Sequence, residues 1–146
     1  MRLTYKGDYA MKAVLYLAAH NGNTPVTIHE MADHLDIPVK FLEQILLDLK
    51  KGGFVESRRG KVGGYILARP SSEIRVGDVV RFIDGPVGPI GCTDKKYTGC
   101  KDIYKCAFRG IWQKVTKATS DIIDNVTFED LAARVTRHKE AVIYQI

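Results

Sequence analysis

The sequence predicts a mainly α-helical fold, and three observations carry that expectation. Apolar residues recur with helical spacing through most of the chain. Two short runs of strand formers, Phe54-Val55-Glu56-Ser57 and Tyr65-Ile66-Leu67-Ala68, bracket a turn rich in glycine and arginine. Capping and breaking residues stand where those patterns begin and end. The chain has 146 residues and 45% hydrophobic content, enough for one compact core with or without an arm. No apolar run approaches the roughly 18 residues of a membrane span. The opening MRLTYKGDYA lacks the basic-then-apolar pattern of an export signal. A cytoplasmic protein without a membrane partner is expected.

The elements follow in order. Asp8 to His20 carries Ala10, Met11, Val14, Leu15, Leu17 and Ala18 as a helical stripe, broken by Asn21-Gly22-Asn23 and Pro25. Thr27-Ile28-His29-Glu30 has the spacing of a capping box, so a short helix is expected from Ile28 to Leu35. Asp36-Ile37-Pro38 makes a tight turn. A second helix, Val39 to Lys51, points Phe41, Leu42, Ile45, Leu46 and Leu49 inward and stops at Gly52-Gly53. The two strands come next, joined through Arg58-Arg59-Gly60-Lys61-Val62-Gly63-Gly64. Further helices are expected over Val76–Asp84, from about Tyr104 to Ile123, and over Thr127–Arg137.

A short helix, a tight turn, a longer helix and a basic hairpin make a winged helix-turn-helix, and its chemistry suits DNA. The longer helix fits the major groove and presents its first turns to base edges. Opposite its apolar stripe lie Lys40, Glu43 and Gln44. Gln pairs with adenine, Glu accepts from cytosine, and Lys takes guanine or phosphate. Between Ser57 and Arg69 the chain has cations but no acid, with Arg58, Arg59, Gly60 and Lys61 at the hairpin tip. An arginine there can enter a narrow minor groove. A solvated helix face and a charged surface turn would explain each piece alone. Their order and spacing point to double-stranded operator DNA. The chain has no phosphate loop, nucleophile elbow or His-Glu metal motif, so an enzyme is not expected.

The second half reads differently. All three cysteines, Cys92, Cys100 and Cys106, fall in one loop with Cys-x7-Cys-x5-Cys spacing. An odd number in a chain without an export signal argues against a disulfide framework. The close pair of a zinc knuckle is missing. A long loop with three thiolates suits an iron–sulfur cluster, with a surface loop of incidental or redox-active thiols as the plainer reading. Lys95, Lys96, Lys101, Lys105 and Arg109 can offset the negative charge of such a site. In the helix that follows, Phe108, Ile111, Trp112, Val115, Thr119 and Ile122 form one stripe. The winged helix is nearly complete without it, so this long helix is expected to bury the stripe against a second copy, giving a homodimer. The expected division is residues 1–84 for DNA binding, 85–106 for the cysteine loop, and 107–146 for the dimerisation helix and C-terminal helix.

From Met1-Arg2-Leu3-Thr4 to Asn125-Val126-Thr127 the chain resembles the bacterial winged-helix iron–sulfur regulators that include IscR and NsrR. Phe41-Leu42-Glu43-Gln44, Arg59-Gly60-Lys61-Val62-Gly63-Gly64-Tyr65 and Val76-Gly77-Asp78-Val79-Val80, followed by the cysteine loop, carry the resemblance. It implies a homodimer on a near-palindromic operator, with iron ligated by Cys92, Cys100 and Cys106. In the IscR type, Glu43 and Gln44 match recognition-helix residues and Arg59 a minor-groove arginine. Where that type has a ligating His, this chain has Arg109, which cannot ligate iron. In the NsrR type an acid near the start of the first helix ligates from the partner subunit, and Asp8 matches it. Asp8 is preferred as fourth ligand, with His34 and water as alternatives. An acid at that place also complements a helix dipole. Seven residues separate the first two cysteines, against five in the best-known members, which leaves 2Fe–2S and 4Fe–4S both open. The alternative is a thiol-redox or zinc-binding regulator of the same fold.

Overall fold

The structure, a computed structural model, describes residues 1–21 and 23–144. Among the described residues, six α-helices and one hairpin run in the order α1 (Tyr5–Ala19), α2 (Ile28–Leu35), α3 (Val39–Lys51), β1 (Val55–Arg58), β2 (Gly64–Leu67), α4 (Val76–Asp84), α5 (Arg109–Ile123) and α6 (Phe128–Tyr144). This is a mainly helical winged helix-turn-helix. Single turns of 3-10 helix sit at Ser71–Glu73 and Gly91–Thr93.

α1 lies at the centre and packs against α3, α4 and α6. Its Ala10, Ala13, Val14 and Leu17 meet Met31 and Ala32 of α2, the inner face of α3, and Ile74, Val79 and Phe128. Small residues on α1 let the other helices approach closely. Phe128, 1% exposed, anchors the start of α6 in this core. Phe128 N donates to the Ile74 carbonyl (2.9 Å) and Val76 N to the Val126 carbonyl (3.0 Å), so α4 and α6 begin side by side.

Local chemistry explains the boundaries. α2 ends at Asp36 in the left-handed conformation (φ 53°), which turns the chain into Ile37 and Pro38. α3 ends in a Schellman motif: Phe54 N donates to the Leu49 carbonyl (3.0 Å) and Gly53 N to the Lys50 carbonyl (3.1 Å). Gly53 takes the required positive φ of 73°. β1 and β2 pair antiparallel in the register Val55↔Leu67 to Arg58↔Gly64, and a bridge from Val26 to Tyr65 ties the hairpin to the segment before α2.

Several boundaries differ from the sequence reading. α1 starts at Tyr5, not Asp8, because Thr4 caps it: its hydroxyl accepts from Gly7 N (3.0 Å), while Thr4 N donates to Asp84 (3.0 Å). The apolar stripe does not reach that far back. α5 starts at Arg109 instead of about Tyr104: residues 101–108 stay mostly in turns, with Lys105 N donating to the Asp102 carbonyl (2.9 Å). α6 continues beyond Arg137 to Tyr144. Among the described residues no helix is long and apolar enough to cross a membrane.

Candidate nucleic-acid interface and cysteine loop

α3 buries Leu42, Ile45, Leu46 and Leu49 and leaves Lys40, Glu43 and Gln44 exposed on the other side. Phe41, expected inward, is instead 43% exposed, its ring edge-on to Tyr9 at 5.7 Å. It lies at the margin of the stripe, between the buried side of α3 and its exposed face. Asp48 collects charge at the other end of the reading face. Lys6 of α1 reaches it at 2.6 Å, Lys51 at 3.7 Å, and Gln44 Nε2 donates to it at 3.5 Å. The hydrogen bond from Lys6 holds its carboxyl below the ordinary value of 3.8. Gln44–Asp48 and Asp48–Lys51 have readable helical spacing, but Lys6 belongs to another helix and only the fold supplies it.

In the wing, Arg58, Arg59, Gly60 and Lys61 are all exposed. Gly63 N donates to the Gly60 carbonyl (3.1 Å), closing the tip. Gly64 sits against Val26, where an added Cβ would strike the Val26 carbonyl, and its φ of 155° also disfavours a side chain. The wing is thereby pinned at its base and free at its tip. Lys50 Nζ donates to Ser57 Oγ (2.8 Å), joining the end of α3 to β1. That bond ties the reading helix to the wing.

The thiols of Cys92, Cys100 and Cys106 are all free, the first two half-buried and the third exposed. Among the described residues, no three His, Cys, Asp or Glu side chains converge as a metal cage. Asp8 is half-exposed and pairs with Lys12 at 2.7 Å. His34 stacks on Tyr16 with ring centroids 4.7 Å apart. Neither candidate is gathered with the three thiols into such a cage within one chain. Arg109, three residues after Cys106, has a buried Nε with no acceptor.

α5 buries none of its residues, and Phe108, Ile111, Val115 and Ile122 of the expected stripe are exposed, while Trp112 and Thr119 are half-buried. One polar clamp holds its C-terminal end to α4. Arg81 donates to both oxygens of Asp124 (2.6 and 3.0 Å) and to Ser120 Oγ (3.0 Å). Asp124 lies close over Gly77, where a Cβ would collide with its carboxylate. Sequence reasoning passed over this clamp because Arg81 and Asp124 are far apart in the chain.

A reading helix with an exposed polar face, backed by a basic wing, defines a winged-helix DNA-binding transcription regulator. The profile of the Rrf2 family, described as "Iron-dependent Transcriptional regulator", matches residues 3–134, and the chain belongs to that family. It is 38% identical to an rrf2-like HTH-type transcriptional regulator of Rhodobacter capsulatus, over 90% of this chain and 92% of that one. It is 36% identical to the HTH-type transcriptional regulator IscR of Serratia proteamaculans, over 90% and 79%. Among solved structures it resembles CymR, the global cysteine regulator of B. subtilis (TM-score 0.77, 28% identity, 92% of this chain and 98% of that one). It also resembles T. potens IscR (TM-score 0.72, 30% identity, 92% and 88%). These relatives are transcription regulators, not enzymes.

Proposed function

We propose that this regulator binds a two-fold operator as a homodimer, and that an iron–sulfur cluster on Cys92, Cys100 and Cys106 sets its DNA affinity. Lys40, Glu43 and Gln44 read the major groove, while Arg58, Arg59, Gly60 and Lys61 follow the backbone and minor groove. Asp8 of the partner subunit completes the ligand set. The observation that carries the cluster reading is the donor chemistry of the loop: three free thiols in a lysine-rich stretch of sequence, followed three residues after Cys106 by Arg109, whose Nε is buried and lacks an acceptor. Thiolates are soft ligands for iron, and a buried guanidinium N–H calls for an anion. When bound, such a cluster supplies an iron- and redox-dependent change in charge and in the tie between loop and helix. Arg109 and the surrounding lysines would offset the negative charge of the bound group.

Protein purified without oxygen is expected to be coloured, with iron and sulfide in stoichiometric amounts, and to change its operator affinity when they are removed. Ala at any one of the three cysteines should abolish the visible absorption. Asp8→Ala should leave a labile or spectrally altered cluster, and His34→Ala should not. If only the His34 variant disturbs the spectrum, the aspartate assignment is wrong.

A second reading has its own support. The three thiols do not converge within one chain, and the B. subtilis neighbour is named as a cysteine regulator, with another, Staphylococcus aureus CymR, solved in an oxidized form. In that case DNA binding would answer to thiol oxidation or zinc. Colourless protein whose operator binding is reversed by a dithiol reductant would establish it over the cluster.

A further inference from the structure

Between the wing and the C-terminal helix lies a cleft of about 610 Å³. Short side chains make the room, notably Ala18 of α1 and Ala132 and Ala133 of α6. Four charges rim it. Strand alternation sets Glu56 and Arg58 on one face of β1, Arg69 follows β2, and Glu129 stands in the first turn of α6. Among the described residues none of these four is paired with an opposite charge. The Arg69 guanidinium lies over the Phe54 ring at 5.2 Å, which holds its plane without using its N–H donors.

Two free guanidinium groups and two free carboxylates around one partly apolar cleft select for mixed charge. A plain anion would meet Glu56 and Glu129, and a plain cation would meet the arginines. We propose that this cleft binds a small zwitterion of the amino-acid or dipeptide class. Arg58 and Arg69 take its carboxylate and Glu56 and Glu129 its ammonium. The alanine-lined floor accepts a modest side chain, and the volume is in the range of small-molecule sites. Arg58 also belongs to the wing, so a bound zwitterion withdraws it from DNA. That consequence rests on the reading that Arg58 contacts the operator, whereas the site itself does not.

The test is calorimetric titration of the full-length protein with the common L-amino acids and a dipeptide set, followed by the best binder in N-acetylated and C-amidated forms. Saturable binding of a zwitterion is expected, weakened about tenfold or more by blocking either charge. Ala133→Phe, at an exposed position, should fill the cleft and abolish binding, and Arg69→Gln should weaken it. Circular dichroism of both variants separates loss of binding from loss of fold. Absence of any saturable binding, or binding indifferent to both substitutions in folded protein, overturns the site. Operator affinity unchanged at saturating zwitterion overturns only the competition for Arg58.

Discussion

Arg58 and Arg59 are neighbours with different surroundings, and the sequence could not tell them apart. Arg58 closes β1 and borders the cleft, whereas Arg59 stands at the exposed tip. Arg59→Ala is therefore expected to weaken operator binding on the order of 1–3 kcal/mol without lowering stability. Unchanged affinity at physiological salt would remove it from the interface. Caps show how far single residues can be read. Thr127 and Asp130 have the spacing of a helix cap, and they bond reciprocally: Thr127 N to Asp130 Oδ2 at 2.9 Å, Asp130 N to Thr127 Oγ1 at 3.1 Å. Thr27 and Glu30 share that spacing, yet only half the expected box forms. Glu30 N donates to Thr27 Oγ1 (3.2 Å), while the Glu30 carboxylate accepts from the Tyr16 hydroxyl (3.3 Å). A tertiary donor displaced the local one. The Thr127 backbone bond, with help from its hydroxyl, holds the Asp130 carboxyl below the ordinary 3.8. A depressed folded-state pKa stabilises the fold above the unfolded value and loses that contribution as pH falls through the folded one. Thermal unfolding of Asp130→Ala and the native protein should differ at neutral pH, and the gap should narrow below about pH 4. A gap that stays constant down to pH 2 would mean the charge of Asp130 contributes nothing.

At the scale of elements, legibility followed the density of local signals. α2, α3 and α4 begin and end where the sequence placed them: a capping Thr, an Asp-Ile-Pro turn and paired glycines bound the first two, and Gly85-Pro86 follows the third. α1 and α5 were misjudged at their starts. One is capped by Thr4, outside the apolar stripe, and the other has an apolar pattern that outruns the helix. Periodicity found the stripe on α5 but could not say what covers it. Within one chain Ile111 is 54% exposed and Phe108 64%, an unusual cost for a helix that serves only its own domain. Trp112 is the less diagnostic probe, because it is already half-buried in the single chain. If the proposed dimer buries this stripe, Ile111→Glu should place an unpaired charge in the seam, cost about 3–5 kcal/mol of association, and shift the protein to monomers. Sedimentation showing an intact dimer, with helix content unchanged, would move the interface off this face of α5.

At the scale of the whole molecule, the problem is distance. The cysteine loop and the reading helix are separate parts of the fold, so the proposed cluster signal has to pass through elements that hold them together. The first turn of the loop, Gly91–Thr93, packs on α5. α5 is clamped to α4 by Arg81 and Asp124, and α4 packs on α1. α1 reaches α3 through Lys6 and Asp48, beside Gln44. Of these joints the Arg81 clamp ties α5 to the winged helix, and it can be cut without opening the core. Its side chains are about one-third exposed (36% and 35%), so solvent screens the pair and its loss should cost only on the order of 1 kcal/mol of stability. Its effect on coupling should be larger than its effect on folding. A typical coupling of roughly 1–3 kcal/mol changes affinity from about 5- to 150-fold, and it requires that the two ends move together. Arg81→Met keeps the aliphatic stem against α5 and removes the fork. It should leave a folded dimer that binds the operator, while the ratio of affinities between metal-loaded and stripped protein falls toward unity. Asp124→Asn should do the same, and the double variant should add little, since both act on one joint. If the ratio survives in both single variants, the signal does not run through α4, and the partner subunit's contact with α5 becomes the route to test.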